Sequence, residues 1–225
     1  MAIKHIKLII FDLDGTIVNA YDAITKSFNF TMRQLGLASL NAEVIRRAVG
    51  WGDRNLLKPF VPKQLLDKAL RIYRKHHAKS LLKYSRLMPG ARTLLLFLKK
   101  RGYQLAVASN RPTKFSLLVL KHLKIKKFFV SVLCADKVVL PKPYPDILLG
   151  LIKKLKVSAD QTLYIADMVI DVEAGKNAGI RTIIVSTGSS SVREIRRKKP
   201  WKIFSSLFEI KKFLLRFEKQ KVDLA

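Results

Sequence analysis

Phe11-Asp12-Leu13-Asp14-Gly15-Thr16 follows directly on the apolar run Ile6 to Ile10, and this junction decides the fold. A short apolar run that ends at a glycine turn reads as a buried parallel strand. Alternate residues of a strand point the same way, so Asp12 and Asp14 can face one cleft at the carboxyl edge of a sheet. Open α/β sheets bind their ligands along that edge.

Working outward, the pattern turns helical after Thr16. Ala20 to Leu35, Asn41 to Val49 and Leu65 to Tyr84 carry apolar residues at helical spacing, broken at Gly36, Gly50, Gly52, Pro59 and Pro62. No strand is expected between Ile17 and Met88. The chain therefore divides into a core of residues 1–17 and 88–225 and an inserted helical block of residues 18–87. Pro89-Gly90 marks the return, followed by a helix over Ala91 to Lys100. Strands at Tyr103 to Ala108, Phe128 to Leu133, Thr162 to Ala166 and Thr182 to Val185 then alternate with helices. That alternation predicts an α/β fold, a Rossmann-like parallel sheet with helices on both faces. Val192 to Phe217 reads as a helix, a short segment Trp201 to Phe204 that closes the core edge, and an amphipathic helix. The tail Lys219 to Ala225 is expected to fray.

At 225 residues and 49% hydrophobic, the chain can bury one full core and a modest insertion. Lys and Arg total 44 against 16 acids, a formal net charge of +28, which favours polyanions and steers anionic substrates inward. The cations are dispersed along helices (Lys63, Lys68, Arg71, Arg74, Lys75, Lys79, Lys83), with one dense run, Arg196 to Lys199. The chain has neither an aromatic-interleaved array for stacking bases nor the Cys/His spacing of a zinc finger. Cys134 is the only cysteine; no intrachain disulfide can form, a reducing compartment is expected, and its apolar surroundings read as core. With no signal-peptide pattern and no run of membrane length, the expectation is a soluble cytoplasmic protein, monomer or dimer, with no membrane partner. His76 and His77 are adjacent and point about 100° apart on a helix, so they cannot chelate as a pair and are expected at the surface.

Chemistry collects at the strand ends. The first strand ends in Asp12 and Asp14, the Tyr103 strand in Ser109-Asn110, and the Thr162 strand in Asp167, with Asp171 shortly after; Lys142-Pro143 lies in the connection after the Phe128 strand. These groups suit phosphoryl transfer with Mg²⁺, a hard cation that takes oxygen ligands and keeps some of its waters. Asp12 and Asp167 are the favoured ligands. A carboxylate can attack phosphorus once a metal and a cation neutralise the phosphate oxygens. Lys142 supplies that cation, and the Ser109 hydroxyl with nearby backbone N–H groups can hold a further oxygen. Each residue also has a plain structural reading: Asp14-Gly15 as a turn, Ser109-Asn110 as a helix start, Asp171 as an exposed helical acid.

The set Asp12-Leu-Asp14-Gly-Thr16, Ser109-Asn110, Lys142-Pro-Tyr-Pro-Asp146 and Asp167-Met-Val-Ile-Asp171 resembles the four motifs of the haloacid dehalogenase superfamily, in its phosphoglycolate-phosphatase-like branch. The helical block sits where that branch carries a small α-helical cap. The resemblance implies that Asp12 is the nucleophile, forming an aspartyl-phosphate, and also a Mg²⁺ ligand. It implies that Asp14 is the general acid and then base, with its main-chain carbonyl on the metal. Ser109 and Lys142 would bind the phosphoryl group, Asp167 the metal, and Asp171 the metal through water or Lys142. Gly50-Trp51-Gly52-Asp53-Arg54 resembles the cap loop that senses the leaving group, which makes Trp51 and Arg54 substrate contacts beside Thr16 and Asn110. Two positions depart from the pattern: Ala166 stands where the family usually has Gly, and Met168 where a small polar residue is common.

The expected function is a Mg²⁺-dependent phosphatase for a small phosphorylated metabolite, 2-phosphoglycolate being one candidate. A sugar phosphomutase or a pyrophosphatase on the same scaffold is the nearest alternative. A nucleic-acid-binding protein on a retired phosphatase scaffold is the rival from another class, motivated by the net charge. The retained acids argue against it, because clustered like charges destabilise a fold unless a cation uses them.

Overall fold

In the computed structural model, which describes residues 6–222, the opening run becomes β1 (Leu8–Phe11). Its side chains alternate between two cores: Leu8 and Ile10 pack on one face of the sheet, Ile9 and Phe11 on the other. A strand buried on both sides needs apolar residues at every position, and so the run is continuous. The chain then passes through β2 (Val18–Asn19), α1 (Tyr21–Gln34), α2 (Ala42–Ala48), α3 (Asp53–Leu57), α4 (Leu66–Tyr84) and β3 (Arg86–Leu87). It returns to the sheet with α5 (Ala91–Lys100), β4 (Gln104–Ser109), α6 (Thr113–His122), β5 (Ser131–Cys134), α7 (Asp146–Leu155), β6 (Thr162–Ala166), α8 (Val169–Asn177) and β7 (Arg181–Val185). It closes with α9 (Val192–Arg197), β8 (Lys202–Phe204) and α10 (Leu207–Val222).

Six strands form one sheet in the order β5-β4-β1-β6-β7-β8, and each neighbouring pair is parallel. The α/β class expected from the alternation is therefore the one found. From β1 the chain builds outward to β4 and β5, then crosses back over to β6 on the other side. The reversal opens a crevice at the carboxyl end of β1, the place where such sheets bind ligands. Trp201 and Phe204 pack against Phe213 of α10 at ring separations of 5.5 and 5.1 Å, closing the far edge. Cys134 is buried and unpaired, and burial pushes its thiol pKa up.

The inserted block is not purely helical. β2 and β3 pair antiparallel, Val18 with Leu87 and Asn19 with Arg86, where the chain enters and leaves the block. Two-residue strands are too short to show a period of two, which is why none was expected there. Within the block α1 packs along α4. The hydroxyls that α1 buries are satisfied locally: Ser27 donates to the Ala23 carbonyl and Thr31 to the Ser27 carbonyl, each at 2.8 Å. His77 overturns the expectation of a surface pair. It is buried, stacked on Tyr73 at 4.8 Å and edge-on to Phe115 at 5.5 Å. Tyr73, His77 and Leu81 repeat at the i, i+4 spacing of the inner face of α4, whereas His76 is turned partly outward onto Phe30. Burial, with the Arg111 charge nearby, holds the His77 pKa well below the usual range, so its ring is neutral.

Of the tail, residues 219–222 continue α10 and residues 223–225 lie outside the described residues. No helix among the described residues is long and apolar enough to cross a membrane.

Candidate active site

The register levels Phe11 of β1 with Val107 of β4 and with Ile165 of β6. Asp12 consequently stands level with Ala108 and Ala166, one residue before Ser109 and Asp167, at the same edge of the sheet. Asp12 is still tied to the edge, its N–H donating to the Ile165 carbonyl at 2.9 Å. Lys142 arrives from the connection between β5 and α7, held by the Asn110 amide, which accepts from the Lys142 N–H at 3.0 Å and donates to the Lys142 carbonyl at 2.9 Å. The same amide donates to the Gly50 carbonyl at 3.0 Å, linking the helical block to the sheet edge.

The Lys142 ammonium is fully enclosed. It donates to Asp12 Oδ1 at 2.6 Å, Asp171 Oδ1 at 2.7 Å and the Tyr164 hydroxyl at 2.9 Å, with the Ala108 carbonyl at 3.3 Å. Tyr164 in turn donates to Asp171 Oδ1 at 2.6 Å. Asp171 caps the start of α8, its other oxygen accepting from the Met168 N–H at 3.1 Å. Asp167 is fully buried; Thr16 donates to its Oδ1 at 2.5 Å, and its Oδ2 has no partner. Gly15 and Gly188 let the backbone close on this carboxylate, since a Cβ at either position would run into it. Gly15 also takes φ of +88°, which a side chain would strain.

Asp12, Asp167 and Asp171 offer oxygens within 4.8 Å of one another, the group among the described residues able to hold a metal ion. Three carboxylates face one ammonium, a surplus of two negative charges if all ionise. Burial drives the Asp12 pKa up to about 6, with Lys142 opposing and Asp171 and Asp14 adding repulsion. Burial and repulsion from Asp12 and Asp171 put Asp167 well above its ordinary range. Burial would lower Lys142, but Asp12 and Asp171 outweigh it and its pKa rises. An orphaned buried oxygen in an over-negative, all-oxygen cluster fits a hard divalent cation such as Mg²⁺.

Asp14 stands apart from this cluster and pairs with Arg111, Nη2 to Oδ1 at 2.5 Å. Both line a cleft between the sheet edge and the helical block, with Ser109, Asp53, Tyr73 and His77. Asp53 is held by Arg74 at 3.0 Å. The cleft is partly open to solvent, and about 40 Å³ of it is accessible to water. Gly50 seals the block against Met168, whose Sδ occupies the space a Cβ would need. On the rim, Arg46 donates to the Thr187 and Gly188 carbonyls, and Arg47 to Ser189 and Glu194.

The structure thus brings together Asp12, Asp14, Ser109, Lys142, Asp167 and Asp171, with Thr16 behind Asp167 and Asn110 behind Lys142. It does not bring Trp51 or Arg54 to the cleft. Trp51 is exposed, and Arg54 pairs outside with Asp67 at 2.5 Å. In the first turn of α3 it is the neighbouring Asp53 that turns inward. Arg111 and Tyr164 were not foreseen. Their signals were present but weak: a cation directly after Ser109-Asn110, and a hydroxyl within an otherwise apolar strand end.

Fold and site define an α/β enzyme with a carboxylate centre, and the chain belongs to the haloacid dehalogenase-like hydrolase family, whose model matches residues 9–185. It is 30% identical over 210 residues to a phosphoglycolate phosphatase of Pseudomonas syringae pv. tomato, covering 89% of this chain and 77% of that one. It is 29% identical over 220 residues to a phosphoglycolate phosphatase of Nitrosococcus oceani, covering 94% and 98%. Among solved structures it is similar to a predicted phosphoglycolate phosphatase from Haemophilus somnus, with a TM-score of 0.87 and 27% identity over 93% of this chain and 98% of that one. The resemblance drawn from the four motifs is therefore met. The protein is an enzyme of the hydrolase class, and these relatives are phosphoric monoester hydrolases.

Proposed function

We propose that the protein is a Mg²⁺-dependent phosphatase that hydrolyses a small phosphorylated metabolite of the 2-phosphoglycolate kind through an aspartyl-phosphate on Asp12. The observation that carries this reading is the buried, over-negative group Asp12, Asp167 and Asp171, in which Lys142 bridges Asp12 and Asp171. Asp12 and Asp167, with Asp171 and the Asp14 main-chain carbonyl, would hold Mg²⁺, which when bound supplies neutralisation of the phosphate charge. The Asp12 carboxylate forms the new O–P bond as the ester O–P bond breaks. Lys142 stands 2.6 Å from Asp12, placed to stabilise negative charge on the phosphoryl oxygens, and Ser109 receives another of them. Asp14 gives its proton to the leaving alkoxide and then takes one from the water that releases inorganic phosphate. Burial, opposed by Arg111, raises the Asp14 pKa, which favours the protonated form this first step uses.

Residues 18–87 act as the cap and residues 1–17 and 88–225 as the catalytic core. The cleft is lined by both cap and core, so substrate enters and phosphate leaves past the cap. A single buried, free thiol accords with work in the cytoplasm, and a monomer or dimer suffices because every proposed group comes from one chain. The test is phosphate release from p-nitrophenyl phosphate and 2-phosphoglycolate with Mg²⁺, followed by phosphorus NMR, which separates hydrolysis from a mutase. Asp12→Asn is expected to lose on the order of 10⁴-fold or more, the scale of losing a nucleophile. Full activity in that variant overturns the mechanism.

A further inference from the structure

We propose that Arg111 reads a carboxylate on the substrate, using the guanidinium nitrogen that Asp14 leaves free. The inference rests on the phosphatase reading and deepens it by assigning the group that selects the substrate. Arg111 is buried, yet its Nη1 has no hydrogen-bond partner, while Nη2 is committed to Asp14. Buried charged donors are seldom left unsatisfied in a native protein, and this one lines the cleft, within reach of what binds there.

Elimination points the same way. Lys142 is the other cation lining the cleft among the described residues, and its three N–H bonds are taken by Asp12, Asp171 and Tyr164. His77 is held neutral, Arg74 is spent on Asp53, and Arg54 faces outward to Asp67. A second negative charge on the substrate therefore has one partner here. The planar guanidinium fork lets Arg111 hold Asp14 with one nitrogen and the substrate carboxylate with the other. Asp14 is thereby fixed beside the carbon that carries both the carboxylate and the ester oxygen. The experiment separates the two candidates for that charge, a carboxylate one carbon from the ester and a second phosphate group.

The experiment compares kcat/KM for 2-phosphoglycolate, ethyl phosphate and a short bisphosphate in the wild type, Arg111→Lys and Arg111→Gln, with melting curves as a folding control. The wild type is expected to prefer 2-phosphoglycolate to ethyl phosphate. Arg111→Gln loses activity on both, since Asp14 is also released, but the ratio between them falls by roughly 30-fold, the scale of one charge-assisted hydrogen bond. Arg111→Lys, which keeps the charge without the fork, falls in between. Equal losses on the two esters confine Arg111 to holding Asp14 and overturn the proposal. So does a wild-type ratio near one, which needs no variant at all, and so does a preference for the bisphosphate. If Asp12-dependent release from p-nitrophenyl phosphate persists in those cases, only this inference falls; if no ester is hydrolysed, the phosphatase reading falls with it.

Discussion

Tyr164 carries a neutral hydroxyl into the most charged part of the molecule, accepting from Lys142 and donating to Asp171. It sets the direction of both charges without adding another. Tyr164→Phe leaves a buried ammonium and a buried carboxylate each short of one bond, which costs about 1–3 kcal/mol. For a chain of this length the melting temperature is expected to drop by about 2–4 °C per kcal/mol, and kcat to fall by roughly tenfold as Lys142 loses its aim. Urea unfolding and steady-state rates check the two effects; unchanged values in both would make the hydroxyl a bystander. At this scale the sequence showed the acids plainly, because only 16 are spread over 225 residues and three of them follow strand ends, with Asp171 in the next helical turn. Tyr164 was hidden since a tyrosine within a strand reads as core, and Arg111 was one cation among 44 Lys and Arg. Trp51 and Arg54 stand at a loop-to-helix junction, where the inward residue is decided by packing that no local pattern encodes.

Among elements, α2 and α9 form the tie between cap and core. Arg47 of α2 meets Glu194 of α9 at 2.7 Å, and Glu194 also caps α9 through Ser191. The Arg47 hydrogen bond, then those from Ser191, lowers the Glu194 pKa to about 2. Its unfolded value is 4.5, so the stabilisation is fully present above about pH 4.5 and is lost as pH falls through 2. Glu194→Gln is therefore expected to melt below the wild type between pH 5 and 8, with the two curves converging as pH approaches 2. Calorimetry across that range tests it; a gap that widens in acid would have the wrong sign. Elements with a strong period were legible almost to the residue: α5 runs from Ala91 to Lys100 and β6 from Thr162 to Ala166, as expected. The β2–β3 ribbon and five-residue α3 were not. The ribbon stands where the chain crosses between cap and core and α3 joins α2 to α4 within the cap, and so few residues cannot hold a periodic signal.

Over the whole molecule, a net charge of +28 surrounds a floor where Asp12, Asp167 and Asp171 outnumber Lys142. The outside draws anions toward the rim, and the inside is left needing a cation. Adding Mg²⁺ to chelator-treated protein is expected to raise the melting temperature, by about 5–10 °C at 100 times the dissociation constant. Asp167→Asn should remove most of that rise. An equal rise in the variant, followed by calorimetry, would place the ion elsewhere. The same scale gives the contacts across the cleft a kinetic meaning. Gly50 rests on Met168 and Arg47 pairs with Glu194, so the inserted block and the sheet part only when both contacts break. Domain motions of this kind take roughly microseconds to milliseconds. If the proposed phosphatase exchanges ester for phosphate through that motion, the β2–β3 ribbon acts as a clock: turnover cannot exceed the frequency with which the block lifts.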